Sequence, residues 1–291
     1  HLGIENVAID KPSRAIEGLV AMMLDATENY DTPLNKNRLF GWHSSLFPDN
    51  KSGWYTITTG AWRPPGSGPM QVISGALGNE KVHFEAPLPE RLDQEMSDFL
   101  SWFNSADLID PLIKAGIAHF WFVTIHPFDD GNGRIARAIA DMCLAKADQS
   151  SLRFYSMSAQ IEKERKRYYA MLERSQKGDL DLTPWLHWFL SCLESSIDGA
   201  QTILDTTLHK NGIWKTLNNH PINDRQKKVV NRLFRDFEGK LTTKKYAKIA
   251  ACSHDTALRD IQQLIAFGIM LQDEGSGRST AYSLRPLDKT H

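Results

Sequence analysis

The chain has 291 residues, with 34 Lys and Arg against 35 Asp and Glu, a formal net charge of −1. That length can bury a full core and a second small domain, and no apolar run approaches the roughly 20 residues of a membrane-spanning helix. Cys143, Cys192 and Cys252 are odd in number and scattered, without zinc spacing, which fits a reducing cytoplasm better than a disulfide framework. No signal-peptide pattern is present. The chain opens on His1 rather than Met, so a start lost or processed away is expected.

Apolar periodicity predicts a mainly α protein. A helix is expected over 14–30 (Ile16, Leu19, Val20, Met23, Leu24) and another over 35–47, which Pro48 ends. Residues 49–78, rich in Gly, Pro, Ser and Thr, read as a long loop. Segments 69–75 and 81–87 alternate in polarity around Gly78-Asn79, a hairpin signal. An amphipathic helix follows over 92–104, then a buried apolar segment ending at Ile125. Further helices are expected over 158–177 and from 184 to about 215. The polar stretch 218–223, broken by Pro221, is the clearest linker.

Between two buried segments lies His126-Pro127-Phe128-Asp129-Asp130-Gly131-Asn132-Gly133-Arg134-Ile135-Ala136-Arg137. Gly131 and Gly133 let backbone N–H groups approach a ligand. Asn132 tolerates the unusual backbone angles between them and adds a donor. The run opens a helix, so its N–H groups gather at a positive helix end, a natural phosphate cradle. Arg134 and Arg137 share a helix face and both suit phosphate oxygens. Asp130 is a hard oxygen ligand fit for Mg²⁺ bridging phosphates. His126 is the group near neutrality able to take a proton from an attacking hydroxyl. Each residue has an ordinary structural use; their coincidence within twelve positions favours one phosphate-handling site.

The run resembles the Fic-family signature H-P-F-x-D-G-N-G-R-x-x-R at every specified position. The resemblance extends over roughly 14–195. It implies a helical core and transfer of a nucleotide part, usually AMP from ATP, onto a protein hydroxyl. It implies His126 as general base and Asp130 as the Mg²⁺ ligand. Gly131, Asn132 and Gly133 would bind phosphates, and Arg134 and Arg137 would neutralise the outer ones. The hairpin 69–87 is similar to the family's flap, with Val72, Ile73, Ser74 and Gly75 docking a target segment by strand addition. Tyr168, Tyr169 and Gln176 are similar to the adenine-side segment, although the family commonly has Asn where Gln176 stands.

Ser13-Arg14-Ala15-Ile16-Glu17-Gly18 fits the family's autoinhibitory S/T-x-x-x-E-G/N pattern, whose glutamate pairs with the last arginine of the motif, here Arg137. The match is read as accidental, because it runs straight into the first core helix. Glu17 is then an ordinary acidic residue favourable to a helix N-terminus.

From residue 223 onward there are 13 Lys and Arg against 8 Asp and Glu, a net +5, which leaves −6 for the rest. Helices are expected over 225–237, 243–250 and 253–267. Gly268 then stops the last helix and a two-stranded segment follows, resembling a winged helix-turn-helix. Ser253, Thr256 and Arg259 would begin its recognition helix, and Lys244, Lys245 and Arg278 would meet phosphates. Asp255 and Asp260 oppose such contact, so DNA binding and a structural or target-docking role stand level.

The expectation is a cytoplasmic two-domain protein. Residues 1–217 would form a Fic-like catalytic domain with a β-hairpin flap, and 218–291 a winged helix-turn-helix. The first would move AMP from Mg-ATP to a Ser, Thr or Tyr hydroxyl of a target protein. No membrane contact is expected, and a homodimer is the default oligomer. The alternatives are a nucleotide-sensing DNA-binding regulator, and a Fic-type enzyme that removes AMP or uses another nucleotide.

Overall fold

A computed structural model describes residues 14–66, 70–74, 81–106, 109–179, 181–235, 237–274 and 280–286. The chain divides into two compact units, residues 1–200 and 201–291.

The first unit is helical. α1 (Arg14–Glu28) and α2 (Lys36–Leu46) lead in, the latter capped by Asn35, whose side chain accepts from the Arg38 N–H. Gly18 brings α1 onto α2: a Cβ there would lie 1.7 Å from the Ser45 carbonyl oxygen. Two small antiparallel hairpins follow, β1 (Lys51–Ser52) with β2 (Tyr55–Thr56), and β3 (Gln71–Ser74) with β4 (Lys81–Glu85). The first was not expected. Its ladder is two residues long, too short to leave a polarity alternation in the sequence.

α3 (Leu92–Asn104), α4 (Pro111–Ile125) and α5 (Asn132–Asp148) carry the centre of the core. α4 is apolar nearly all round and is buried accordingly, with Ala115, Ala118, Phe122 and Ile125 at 0–1% exposure. Asp110 caps it, accepting from the Leu112 and Ile113 N–H groups, and Pro111 sits at its first position. Gly116 admits Leu186 and Phe189, and its carbonyl accepts from Trp185 Nε1 at 2.9 Å.

The single helix expected over 158–177 is two helices, α6 (Met157–Lys163) and α7 (Arg165–Lys177). The joint falls within Glu162-Lys163-Glu164-Arg165-Lys166-Arg167, six charged residues of which none is buried. Helical stability comes mainly from a packed apolar face, so the helix yields where that face is missing. α8 (Thr183–Asn218) completes the series and continues past residue 200.

The second unit adds α9 (Asp224–Arg235), β5 (Leu241–Thr242), α10 (Thr243–Ala250), α11 (His254–Ala266), β6 (Met270–Gln272) and β7 (Ala281–Leu284). Its sheet is antiparallel and three-stranded, in the order β5-β7-β6, not two-stranded. The extra strand, Leu241–Thr242, is too short to show a period. Val229, Val230, Tyr246, Ala257, Ile261, Leu264 and Met270 fill the core beneath it.

One expectation about this unit needs correction. Asp260 does not face outward on α11. It is 4% exposed and accepts from Arg225 at both oxygens (2.9 and 3.1 Å) and from Asn223 Nδ2 at 3.0 Å. Periodicity alone could not place it, because it lies one helical position before the core residue Ile261. Ser253, Arg259, Lys244, Lys245 and Asp255 are exposed. Arg278 lies outside the described residues. Among the described residues no helix is long and apolar enough to cross a membrane.

Candidate active site

α4 and α5 pack side by side, and residues 126–131 are the turn between them. His126 ends α4 in the left-handed region (φ 51°, ψ 57°), a conformation that costs a non-glycine residue about 1–2 kcal/mol. Three bonds hold it there. Its N–H donates to the Phe122 carbonyl at 3.0 Å and its carbonyl accepts from Arg63 Nε at 2.9 Å. Its Nδ1 lies 3.0 Å from the Val123 carbonyl, and a carbonyl can only accept, so Nδ1 carries the proton. The neutral ring therefore keeps its lone pair on Nε2. Burial pushes the imidazole below its usual range, with the Arg63 guanidinium adding to the shift.

The loop is fastened from inside. Asn132, 2% exposed, turns its amide back on Phe128: Oδ1 accepts from the Phe128 N–H at 3.0 Å and Nδ2 donates to its carbonyl at 2.8 Å. Asn132 thus commits its Oδ1 and one of its two Nδ2 hydrogens to the loop itself. It does not carry the unusual backbone angle, which belongs to Gly131 (φ 82°). A Cβ on Gly131 would come within 2.9 Å of Phe47 Cε2, so the position requires glycine twice over. Phe128 stacks on the buried His43 ring (4.1 Å, 8°). His43 Nδ1 accepts from the Gly60 N–H, so Nε2 donates to the Asp130 carbonyl at 3.1 Å. Burial pushes His43 down as well, which keeps that tautomer neutral.

Asp130 is half-exposed. Its Oδ1 accepts from the Gly131 N–H at 2.5 Å, its Oδ2 accepts from the Ser52 hydroxyl, and Arg134 Nη2 stands 3.6 Å away. Asp129 Oδ2 accepts from the Thr58 N–H at 2.8 Å. The loop expected over 49–78 thus clamps the motif directly through Ser52, Thr58 and Arg63, and through Gly60 by way of His43.

A cavity of about 750 Å³ opens on this turn. His126, Asp130, Asn132, Gly133 and Arg137 line it, together with Tyr168, Tyr169 and Gln176 of α7. The two arginines part company. Arg137 lines the cavity, whereas Arg134 leans over the Phe47 ring, 4.7 Å from its centroid. Gly131 lies beneath the cavity floor, buried.

The two tyrosines differ too. The Tyr168 hydroxyl, expected to face a base, is buried and bonded to His119 Nε2 at 3.0 Å. Tyr169 is 50% exposed and offers its ring. Gln176 Nε2 donates to Thr124 Oγ1 at 3.2 Å.

Strand β4 sends Phe84 to the cavity wall; Phe84 pairs with Val72, and a bulge follows between Val72 and Ile73. Ile73 pairs with Val82 and Ser74 with Lys81, and the free edge of β3 meets no other strand among the described residues. Gly75 lies outside the described residues. Glu17 stands exposed in the first turn of α1, and among the described residues no ion pair joins it to Arg137.

Sequence reasoning missed Arg63, His43, Ser52, Phe47 and Thr124. Arg63 alone left a trace, as a charged residue among Trp62, Pro64 and Pro65 in an otherwise loop-like stretch.

Residues 33–144 match the model of the Fic/DOC family. The chain is 32% identical over 132 residues to the protein adenylyltransferase Fic of Nematostella vectensis, covering 45% of this chain and 29% of that protein. It is 34% identical over 131 residues to the protein adenylyltransferase fic-1 of Caenorhabditis elegans, covering 43% and 24%. The matches span less than a third of the length of these curated relatives. A crystal structure of a Fic family protein from Desulfovibrio desulfuricans G20 shares the fold at a TM-score of 0.52 and 20% identity, covering 94% of this chain and 76% of that one.

Proposed function

We propose that this chain is a protein adenylyltransferase that moves AMP from ATP to a Ser, Thr or Tyr hydroxyl of a target protein. The observation that carries the reading is His126. Its Nδ1–H is held by Val123, so Nε2 is an available base on the wall of a cavity whose floor is a helix N-terminus. The name shared by the Nematostella and Caenorhabditis relatives supports it.

In the step proposed, the target hydroxyl gives its proton to His126 Nε2 and its oxygen attacks the α-phosphorus. The new O–P bond forms as the bond to the bridging oxygen breaks, and pyrophosphate leaves. N–H groups at Asn132 and Gly133, left without intrahelical acceptors, face the developing charge, while the Gly131 N–H orients the Asp130 carboxylate beside them. Arg137 neutralises outer phosphate oxygens from within the cavity and Arg134 from its rim.

The residues fit Mg²⁺ at Asp130. The carboxylate is half-exposed and lines the cavity beside the helix N-terminus. A single carboxylate plus phosphate oxygens is how this ion is commonly held. When bound, it supplies charge neutralisation for the departing pyrophosphate. Tyr169 and Gln176 would face the base, and β3, through Val72 to Gly75, would pair with an extended target segment.

We read residues 1–217 as the catalytic domain and 218–291 as a winged helix-turn-helix, on the run of α9, β5, α10, α11, β6 and β7. Its service as a target-selecting or dimer-forming module, in a cytoplasmic protein, is part of the proposal. DNA contact is the second reading. The inward turn of Asp260 favours it, since that leaves Arg259 exposed with one acidic neighbour fewer on α11. Steep salt dependence of duplex binding distinguishes it.

The test is incubation with Mg²⁺ and α-labelled ATP, alone and with cell lysate, beside His126→Ala. Label on protein that the variant loses, with ADP affinity retained, is the expected result. No protein label with any of the four nucleoside triphosphates overturns it.

A further inference from the structure

Arg63 is a buried cation to which the mechanism above assigns no part. It is 2% exposed and reaches three carbonyl groups on two separate stretches of chain. Nε donates to the His126 carbonyl at 2.9 Å, Nη2 donates to the Pro87 carbonyl just past β4, and its own backbone N–H donates to the Pro127 carbonyl at 2.9 Å. No other described side chain joins the motif turn to the exit of the β3–β4 hairpin by hydrogen bonds. Next to that exit, the Ala86 N–H donates to the Met70 carbonyl at 2.8 Å, so Pro87 is fixed to the last rung of the ladder.

We propose that Arg63 is a positioning residue: it holds the hairpin that would receive the target at a set distance from His126, so that a protein hydroxyl rather than water meets Nε2. The inference rests on the adenylyltransferase reading and deepens it.

The physics favours arginine over any substitute. A guanidinium is a planar fork that serves two carbonyls in one geometry, whereas an ammonium is a point donor. The Nε bond also helps His126 keep a left-handed backbone: its carbonyl meets a charged donor, a stronger partner than water at a buried turn. A change at Arg63 therefore frees the hairpin and removes one of the three bonds on His126, while Asn132, His43 and Gly131 still hold the phosphate cradle.

The test uses Arg63→Lys and Arg63→Gln in the full chain, with three readouts. The first is ADP affinity by calorimetry. The second is hydrogen exchange of the amides in 81–86. The third is the partition of AMP from α-labelled ATP between protein and free AMP. The expected result is ADP affinity within about twofold of wild type, with hairpin exchange at least tenfold faster. Protein labelling falls at least tenfold while free AMP is maintained or rises. Unchanged hairpin exchange overturns the proposal, and so does a parallel fall of both products. Failure of both variants to fold with wild-type ADP affinity overturns it too, leaving Arg63 purely structural. If the wild type labels no protein, the adenylyltransferase reading fails, and the exchange readout still decides whether Arg63 couples the hairpin to the turn.

Discussion

Asn132 and Phe128 close on each other through both halves of one amide, Oδ1 on the Phe128 N–H at 3.0 Å and Nδ2 on its carbonyl at 2.8 Å. The asparagine at the centre of the motif is therefore a clasp for the loop. Asn132→Ala leaves a buried N–H and a buried carbonyl without partners. It is expected to cost about 2–4 kcal/mol of stability and to weaken ADP binding. Chemical denaturation and calorimetry check this, and a change under 1 kcal/mol would refute the clasp.

Gly18 is needed for close approach, not for inhibition. Gly18→Ala places a Cβ against the Ser45 backbone, which cannot rotate away as a side chain would. Overpacking of this kind costs about 1–3 kcal/mol. Glu17→Gly, one residue earlier, should leave automodification unchanged, because Glu17 is exposed and unpaired with Arg137. A rise in labelling of the Glu17 variant would restore the inhibitory role.

Stability should fall as pH drops below about 6.5. His119 is buried beside Arg137, and burial holds its pKa down at about 3. The unfolded chain binds a proton there near pH 6.5, so between that value and 3 the unfolded state carries more protons and gains as pH falls. His43 and His126, also lowered by burial, act with the same sign. His119 alone contributes on the order of 2 kcal/mol at pH 5. Denaturant midpoints from pH 5 to 8 measure the slope, and His119→Gln should flatten it.

Activity should follow the free Nε2 of His126. A general base works only when neutral, and burial lowers its pKa. The acid limb of kcat/KM for AMP transfer is expected to have its midpoint below 6.5, with a plateau through pH 7. A midpoint well above 7 would show that some other group accepts the proton.

The two tyrosines should separate in the binding assay. Tyr169→Ala removes an exposed ring from the cavity, and a stacked base is worth about 1–3 kcal/mol, so ADP affinity should drop roughly tenfold. Tyr168→Phe should leave affinity within about twofold, since its hydroxyl serves His119, and instead lower stability by about 1–3 kcal/mol. Equal effects on affinity would mean that the assignment of the two rings is wrong.

The sequence by itself determined the helices that carry an apolar stripe, α1, α2, α3 and α11 among them, because a 3.6-residue period is a local property of the chain. It also determined the motif turn, where residue types and spacing together leave few other uses. What only the tertiary structure decided is which polar atoms remain free once the chain is folded. Asn132 turns inward to Phe128, Tyr168 to His119 and Asp260 to Arg225, because a buried polar group must find a partner, and for Tyr168 and Asp260 that partner is remote in sequence. The same holds for Arg63, His43 and Ser52. Arg63 and Ser52 sit in a stretch without periodicity and His43 on α2, 63 to 87 positions from the motif groups they hold, and only chain folding brings those carbonyls and carboxylates to them.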